Sequence, residues 1–156
     1  MIKATYTDNA FIQQEAARTI ANVAIYHAAA LVQKGTIQPL IFLLCAEDSM
    51  VKSAVACALA NIAAADVSLG RLLAHAGAIK AAVPLLRNCI DDGTTCACHA
   101  ARLLSLLPHD AHNLERMVAA GAIEPLVALL ASDDDYAAGY AAWCLGELLL
   151  ICMLLA

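Results

Sequence analysis

Glycine and proline are scarce in this chain, seven and four among 156 residues, and they fall at recurring places. A disordered or loop-dominated chain would carry far more of both, so those classes are excluded. Long hydrophobic runs are also missing. The most apolar stretch, Leu148 to Ala156, is well short of the roughly 20 residues that a membrane-spanning helix requires. The N-terminus, MIKATYTDNA, lacks the apolar segment of a secretion signal. Basic charge is short as well: the net charge of −5 has the wrong sign for a general binder of nucleic acid or anionic membrane. No glycine-rich phosphate loop or dinucleotide fingerprint is present. Seven cysteines, an odd number without paired spacing, sit mostly in apolar helical patterns. This suggests buried thiols in a reducing, intracellular compartment, with no disulfide framework.

What remains is apolar and repetitive. Hydrophobic residues make up 62% of the chain, above the usual 45–50% or so, and the mean hydropathy is +0.72. Much of the excess is alanine, which allows helices to pack closely. One phrase occurs three times: KGTIQPLIFLL at 34–44, AGAIKAAVPLL at 76–86 and AGAIEPLVALL at 120–130. The glycines that open it, Gly35, Gly77 and Gly121, are 42 and 44 residues apart. A period of about 40–47 residues marks an array of two- or three-helix units, and short glycine-bounded helices favour three.

Each unit follows one pattern. A short first helix ends at the glycine: His27–Lys34, Val67–Ala76 and Ala111–Ala120. Asp66 and Asp110 stand where a carboxylate caps free N–H groups, and the glycine closes the helix with positive φ. A second helix follows over Gln38–Leu44, Ile79–Arg87 and Ile123–Leu130, with Pro39 and Pro125 in its first turn. Pro84 lies deeper in the second copy, which we read as a helix that starts late, the alternative being a bend that alters the local superhelix pitch. After turns at Glu47-Asp48-Ser49, Asp91-Asp92-Gly93 and Ser132 to Asp135 comes a longer third helix. Its three copies span about Ser49–Ala64, Thr94–Leu107 and Asp135–Leu149.

FIQQEAARTIANVA, before the first phrase, matches VKSAVACALANIAA in the second unit and is itself a third helix. The organisation is thus one continuous solenoid: an orphan third helix (1–26) and units at 27–65, 66–109 and 110–156. Neither terminus carries the polar cap that end units of a solenoid normally have. A fragment of a longer array, a subunit locked into a larger complex, or end-to-end association is therefore expected. In the complexed case, Phe11 to Ile20 and Ile151 to Leu155 contact partner chains.

AGAIEPLVALL at 120–130 and A-x-A-L-x-N-[IVL]-A, seen as VACALANIAA at 55–64 and as EAARTIANVA at 15–24, together resemble the armadillo-repeat family. The resemblance covers about residues 10 to 150 and is greatest to plain scaffold members. It implies an all-α, right-handed superhelix of three-helix repeats, with the third helices lining a concave groove. In the family's nuclear-import adaptors, that groove carries a tryptophan and, four residues later, an asparagine that clamps an extended peptide. The equivalent pairs here are Arg18/Asn22, Cys57/Asn61, Arg102/Leu106 and Trp143/Glu147. None has both members, so the sequence departs from the import-adaptor pattern.

One turn further back, the rows become Gln14-Arg18-Asn22, Ser53-Cys57-Asn61, Cys98-Arg102-Leu106 and Gly139-Trp143-Glu147, each on one helix face. Two arginines and two asparagines suit an extended, partly acidic segment. The alternative is that these are ordinary solvated residues on a structural subunit. Trp143 is read either as a groove anchor or as packing against a neighbour.

CACH at 96–99 contains potential zinc ligands, but no second pair lies at a recognisable spacing. His109 and His112 begin another helix. No nucleophile stands in a strained turn beside a base. The expectation is a non-catalytic protein-interaction scaffold without cofactor or metal, binding protein and not nucleic acid. A cytoplasmic home is expected, and a ciliary, axonemal or organellar complex would suit it equally.

Overall fold

The computed structural model describes residues 2–88, 95–107 and 110–154, the side chains of 2, 88, 151, 152 and 154 excepted. Among these the elements are all helical. After a short 3-10 helix, Ile2–Tyr6, come α1 (Ala10–Gln33), α2 (Ile37–Leu43), α3 (Ser49–Ala65), α4 (Val67–His75) and α5 (Ala78–Ala82). They are followed by α6 (Leu85–Asn88), α7 (Cys96–Leu106), α8 (Ala111–Ala119), α9 (Ile123–Leu129) and α10 (Asp135–Leu154). The expected turn at Asp91-Asp92-Gly93, the start of the third helix at Thr94, and His109 lie outside the described residues, as do the side chains of Ile151 and Leu155.

Local chemistry sets the helix starts. Asp48 Oδ1 accepts from the backbone N–H of Met50 at 2.8 Å and of Val51 at 3.0 Å. Asp66 accepts from Ser68 N at 2.6 Å, Asp110 from Asn113 N at 2.9 Å and Asp134 from Tyr136 N at 2.9 Å. Each bond satisfies a donor that the first turn leaves without a helical partner. At the other ends, Gly35, Gly77 and Gly121 have φ of +76°, +101° and +79°. Side-chain-bearing residues rarely adopt that region.

Two elements differ from expectation. α1 is not one of them: it joins the orphan third helix and the first helix expected from His27, which meet at a kink at His27 (φ −134°, ψ 32°), the boundary expected at 26/27. The expected Ile79–Arg87 helix is two short ones, with the interruption at Val83-Pro84. It starts at Ala78, so the late-start reading of Pro84 is wrong. Proline has no N–H to return to the preceding turn, and the chain continues through tighter bonds, Leu86 N to Val83 O at 3.1 Å and Arg87 N to Pro84 O at 3.2 Å. α10 continues past Leu149 to Leu154 because no glycine or proline follows to stop it.

The long helices α1, α3, α7 and α10 stack side by side in that order. Alanine makes the close approach possible. Ala17, Ala24, Ala56, Ala58, Ala60, Ala100, Ala101 and Ala141 are all fully buried, and Ile20, Leu59, Ile62, Leu103 and Leu104 fill the space behind them. A single continuous apolar core results. Among the described residues no single helix is long and apolar enough to cross a membrane.

Candidate groove along the stacked helices

The polar rows on α1, α3, α7 and α10 define the candidate site. Gln14, Arg18 and Asn22 of α1 and Ser53 and Cys57 of α3 line a shared concavity of about 440 Å³. His99 of α7 completes it. Arg18 is exposed and, among the described residues, pairs only with Glu15, one turn away at 3.2 Å. Such an exposed pair contributes little and holds the guanidinium loosely. Ser53 is buried and shares a 3.1 Å hydrogen bond with the Thr95 hydroxyl at the start of α7.

Asn61 and Arg102 are tied down differently. Asn61 Nδ2 donates to the Ala21 carbonyl of α1 at 2.9 Å, and Arg102 Nη1 donates to Asn61 Oδ1 at 2.9 Å. Three consecutive long helices are laced together through this one amide. Sequence analysis grouped both with residues suited to holding a segment, with ordinary helix-face residues as the alternative; in the structure both bond between stacked helices.

Cys98 is half-buried next to Asp134, and burial together with that carboxylate pushes its thiol up to about 11. Burial also raises the Cys57 thiol, against the opposing pull of Arg102. Cys144, buried with its thiol 3.9 Å from the Ala101 carbonyl, is pushed up to about 12. These thiols stay protonated at neutral pH, which suits packing and opposes nucleophilic chemistry. Among the described residues no three potential metal ligands converge.

Toward α10 the groove changes character. Trp143 is 59% exposed and lies in a depression of about 430 Å³ with Tyr136, Tyr140, Leu106 and Ser105. Gly139 opens this depression and Asp135 stands at its margin. Half-buried Glu147 is one turn beyond Trp143. The surface therefore runs from arginine and amide groups on α1 to aromatic and acidic groups on α10.

Sequence reasoning missed His99, Tyr136 and Tyr140 as groove residues. The signal was present. His99 is three residues before Arg102, and Tyr136 and Tyr140 precede Trp143 by seven and three, which places them on its face of the helix.

His99 Nδ1 is buried without a hydrogen-bond partner among the described residues. Burial lowers its pKa from the ordinary 6.5; Arg102 adds to this and Asp134 opposes it. The folded chain thus binds fewer protons here than the unfolded chain does, and stability must fall as pH drops through about 6.5. The thermal midpoint should be lower at pH 5.5 than at pH 7.5, and His99→Gln should flatten that dependence. An unchanged slope in the variant would contradict it.

The comparisons with known proteins agree with this geometry. Two engineered proteins of known structure, 31% and 33% identical, superpose with TM-scores of 0.81 over 94% of this chain. A designed armadillo repeat protein solved in complex with the peptide (KR)4 is 25% identical, with a TM-score of 0.80 over 94% of this chain. This chain spans only about three fifths of the length of each, 60%, 61% and 62%. Curated proteins yield no match. The Armadillo/beta-catenin-like repeat matches residues 27–64 and 110–150, just over half of the chain. With helices stacked as an all-α solenoid and glycine-closed units at the expected period, the chain belongs to the armadillo repeat family.

Proposed function

We propose that the protein is a protein-interaction scaffold whose groove holds an extended segment of a partner, without catalysis. The observation that carries this is the concavity shared by Gln14, Arg18, Asn22, Ser53, Cys57 and His99. It is open, carries guanidinium, amide and imidazole groups among small apolar side chains, and is built from three consecutive long helices. The peptide complex of the designed relative supports the same use of the fold.

The groove's change in charge refines the ligand. Arg18 at one end favours a carboxylate by charge-assisted hydrogen bonding. Tyr136, Tyr140 and Trp143 with Asp135 at the other end favour a cationic side chain over an aromatic face. We therefore read the ligand as a mixed-charge extended peptide, acidic at one end and basic at the other. Free thiols at Cys57, Cys96, Cys98 and Cys144 fit a reducing compartment.

Trp143 is the only tryptophan, so its emission reports on occupancy directly. Titration with (KR)4, with an all-acidic octapeptide and with an octapeptide of four acidic then four basic residues tests the reading. The mixed peptide should give the largest saturable blue shift, and Arg18→Ala should weaken it about tenfold. Absence of a saturable response to all three peptides overturns the proposal.

A further inference from the structure

Gly139 lies inside α10, past its first turn, where glycine is less favourable than alanine. The usual structural reasons for a glycine are missing. Its φ is not positive, and a Cβ built on it would come within 4 Å of no atom of another helix among the described residues. What the bare position leaves is space. On a helix surface the neighbours of a residue are those three and four positions away. For Gly139 these include Asp135, Tyr136 and Trp143, with Tyr140 adjoining in the chain. All five line the depression of about 430 Å³, and Ser105 and Leu106 of α7 complete it. The result is a recess with a glycine at its base, three aromatic side chains around it and a carboxylate at its margin.

This recess is a feature of the groove and does not depend on α10 being the last helix of the stack. In the register set by Gly35 and Gly121, Tyr136, Gly139, Tyr140 and Trp143 correspond to Met50, Ser53, Ala54 and Cys57. Those four line the concavity beside α1, which stays open although α7 packs beyond α3 and adds His99 to the lining. A further helix beside α10 would likewise add a wall and leave the mouth open. What changes between the two places is the chemistry. Aromatic rings replace Met50, Ala54 and Cys57. Arg102, one turn before Leu106, bonds to Asn61 on the other side of α7. Asp135 and, one turn past Trp143, Glu147 leave the recess negative.

We infer that this recess holds a methylated ammonium group, carried as trimethyllysine on the extended segment in the groove. The inference rests on the groove reading above and goes further by naming the cation. A primary ammonium is compact and strongly hydrated, and its three N–H donors must find acceptors if it leaves water. In a recess whose Trp143 remains 59% exposed, it gains little by that exchange. Trimethylation removes the donors, keeps the positive charge and adds apolar surface. Tyr136, Tyr140, Trp143 and Leu106 can cover that surface, and the aromatic rings attract the charge. Asp135 adds a carboxylate without having to touch the methyl groups. Gly139 supplies the room: a larger side chain there would stand where the methyl groups go.

Fluorescence anisotropy of a labelled octapeptide, four glutamates then four lysines, tests this on the full chain. The lysines are unmodified, all trimethylated, or replaced by the neutral isostere in which carbon takes the place of the ammonium nitrogen. The trimethylated peptide should bind about fivefold more tightly than the unmodified one, and the neutral isostere should not share the gain. Gly139→Leu fills the recess and should abolish the preference, with a thermal midpoint no lower than that of the unmodified chain. Tyr136→Ala, at an exposed position, removes one wall and should reduce the preference. Equal affinity for modified and unmodified peptides overturns the inference and leaves the groove reading standing. An isostere that binds as tightly as the trimethylated peptide overturns it, since size and not charge is then recognised. A preference that survives both substitutions places the cation elsewhere and overturns it as well. Saturable binding of tetramethylammonium chloride with no preference among the peptides overturns lysine as the carrier. Failure of all three peptides to bind overturns this inference and the groove reading together.

Discussion

Leu59→Ala should destabilise the chain by about 2–5 kcal/mol, the range for truncating a fully buried leucine. Leu59 is 0% exposed, in the middle of α3, with α1 on one side and α7 on the other. The upper half of the range is expected for a structural reason. Ala56 and Ala63, one turn away on the same helix, are buried and too short to reach into the space. Short alanine side chains fill little of the space left behind, so most of the cavity persists. For a chain of this length each kcal/mol lowers the thermal midpoint by roughly 2–4 °C, so a drop on the order of 10 °C should be seen by circular dichroism. Val67→Ala, at a position 66% exposed, is the control and should stay within about 0.5 kcal/mol. A loss below about 1 kcal/mol in Leu59→Ala would mean that the stack is looser than its alanine spacing implies.

The stack was legible in the sequence because its determinants are local. An aspartate caps, a glycine takes positive φ, and a phrase recurs at a fixed period, each recognisable without knowing what it packs against. Asp66, Asp110, Gly35, Gly77 and Gly121 are of this kind. The break at Pro84 was legible as an oddity but was assigned to the wrong cause. A missing N–H can be absorbed at a helix start or by interrupting the helix, and only the surrounding chain decides which. The kink at His27 has no proline or glycine beside it, and only the match between repeats put a boundary at 26/27. α10 runs on because helix ends need a stop signal, and the sequence reading supplied one by analogy with the shorter copies.

The groove was less legible for a different reason. Helical periodicity says which residues share a face, and by that rule Gln14, Arg18, Ser53 and Cys57 were correctly put on one surface. It says nothing about whether a side chain turns outward to a ligand or sideways to its neighbour. Ser53 turns to Thr95 and Asn61 to Ala21, both across a junction about 40 residues distant in sequence. These bonds depend on the offset between adjacent helices, which no single helix encodes.

Asn61→Ala carries the second large expected effect, about 2–3 kcal/mol. It removes a hydrogen bond to a carbonyl, contributing about 1 kcal/mol, and one from a guanidinium, contributing about 1.5–3 kcal/mol, with some recovery through water. Arg102→Ala should cost less, since it leaves the bond from Asn61 to Ala21 in place. The double variant should be less destabilised than the sum of the two, with a coupling on the order of 1 kcal/mol. Additive effects would mean that the Asn61–Arg102 bond contributes nothing. The outcome also decides how groove mutants are to be read. If Arg102 is a strut between α7 and α3, a loss of peptide binding in Arg102→Ala reports altered helix spacing as much as a lost ligand contact. Arg18, which among the described residues pairs with Glu15 on its own helix, lacks that second role. Binding changes in Arg18→Ala at unchanged thermal midpoint therefore separate ligand recognition from the integrity of the stack.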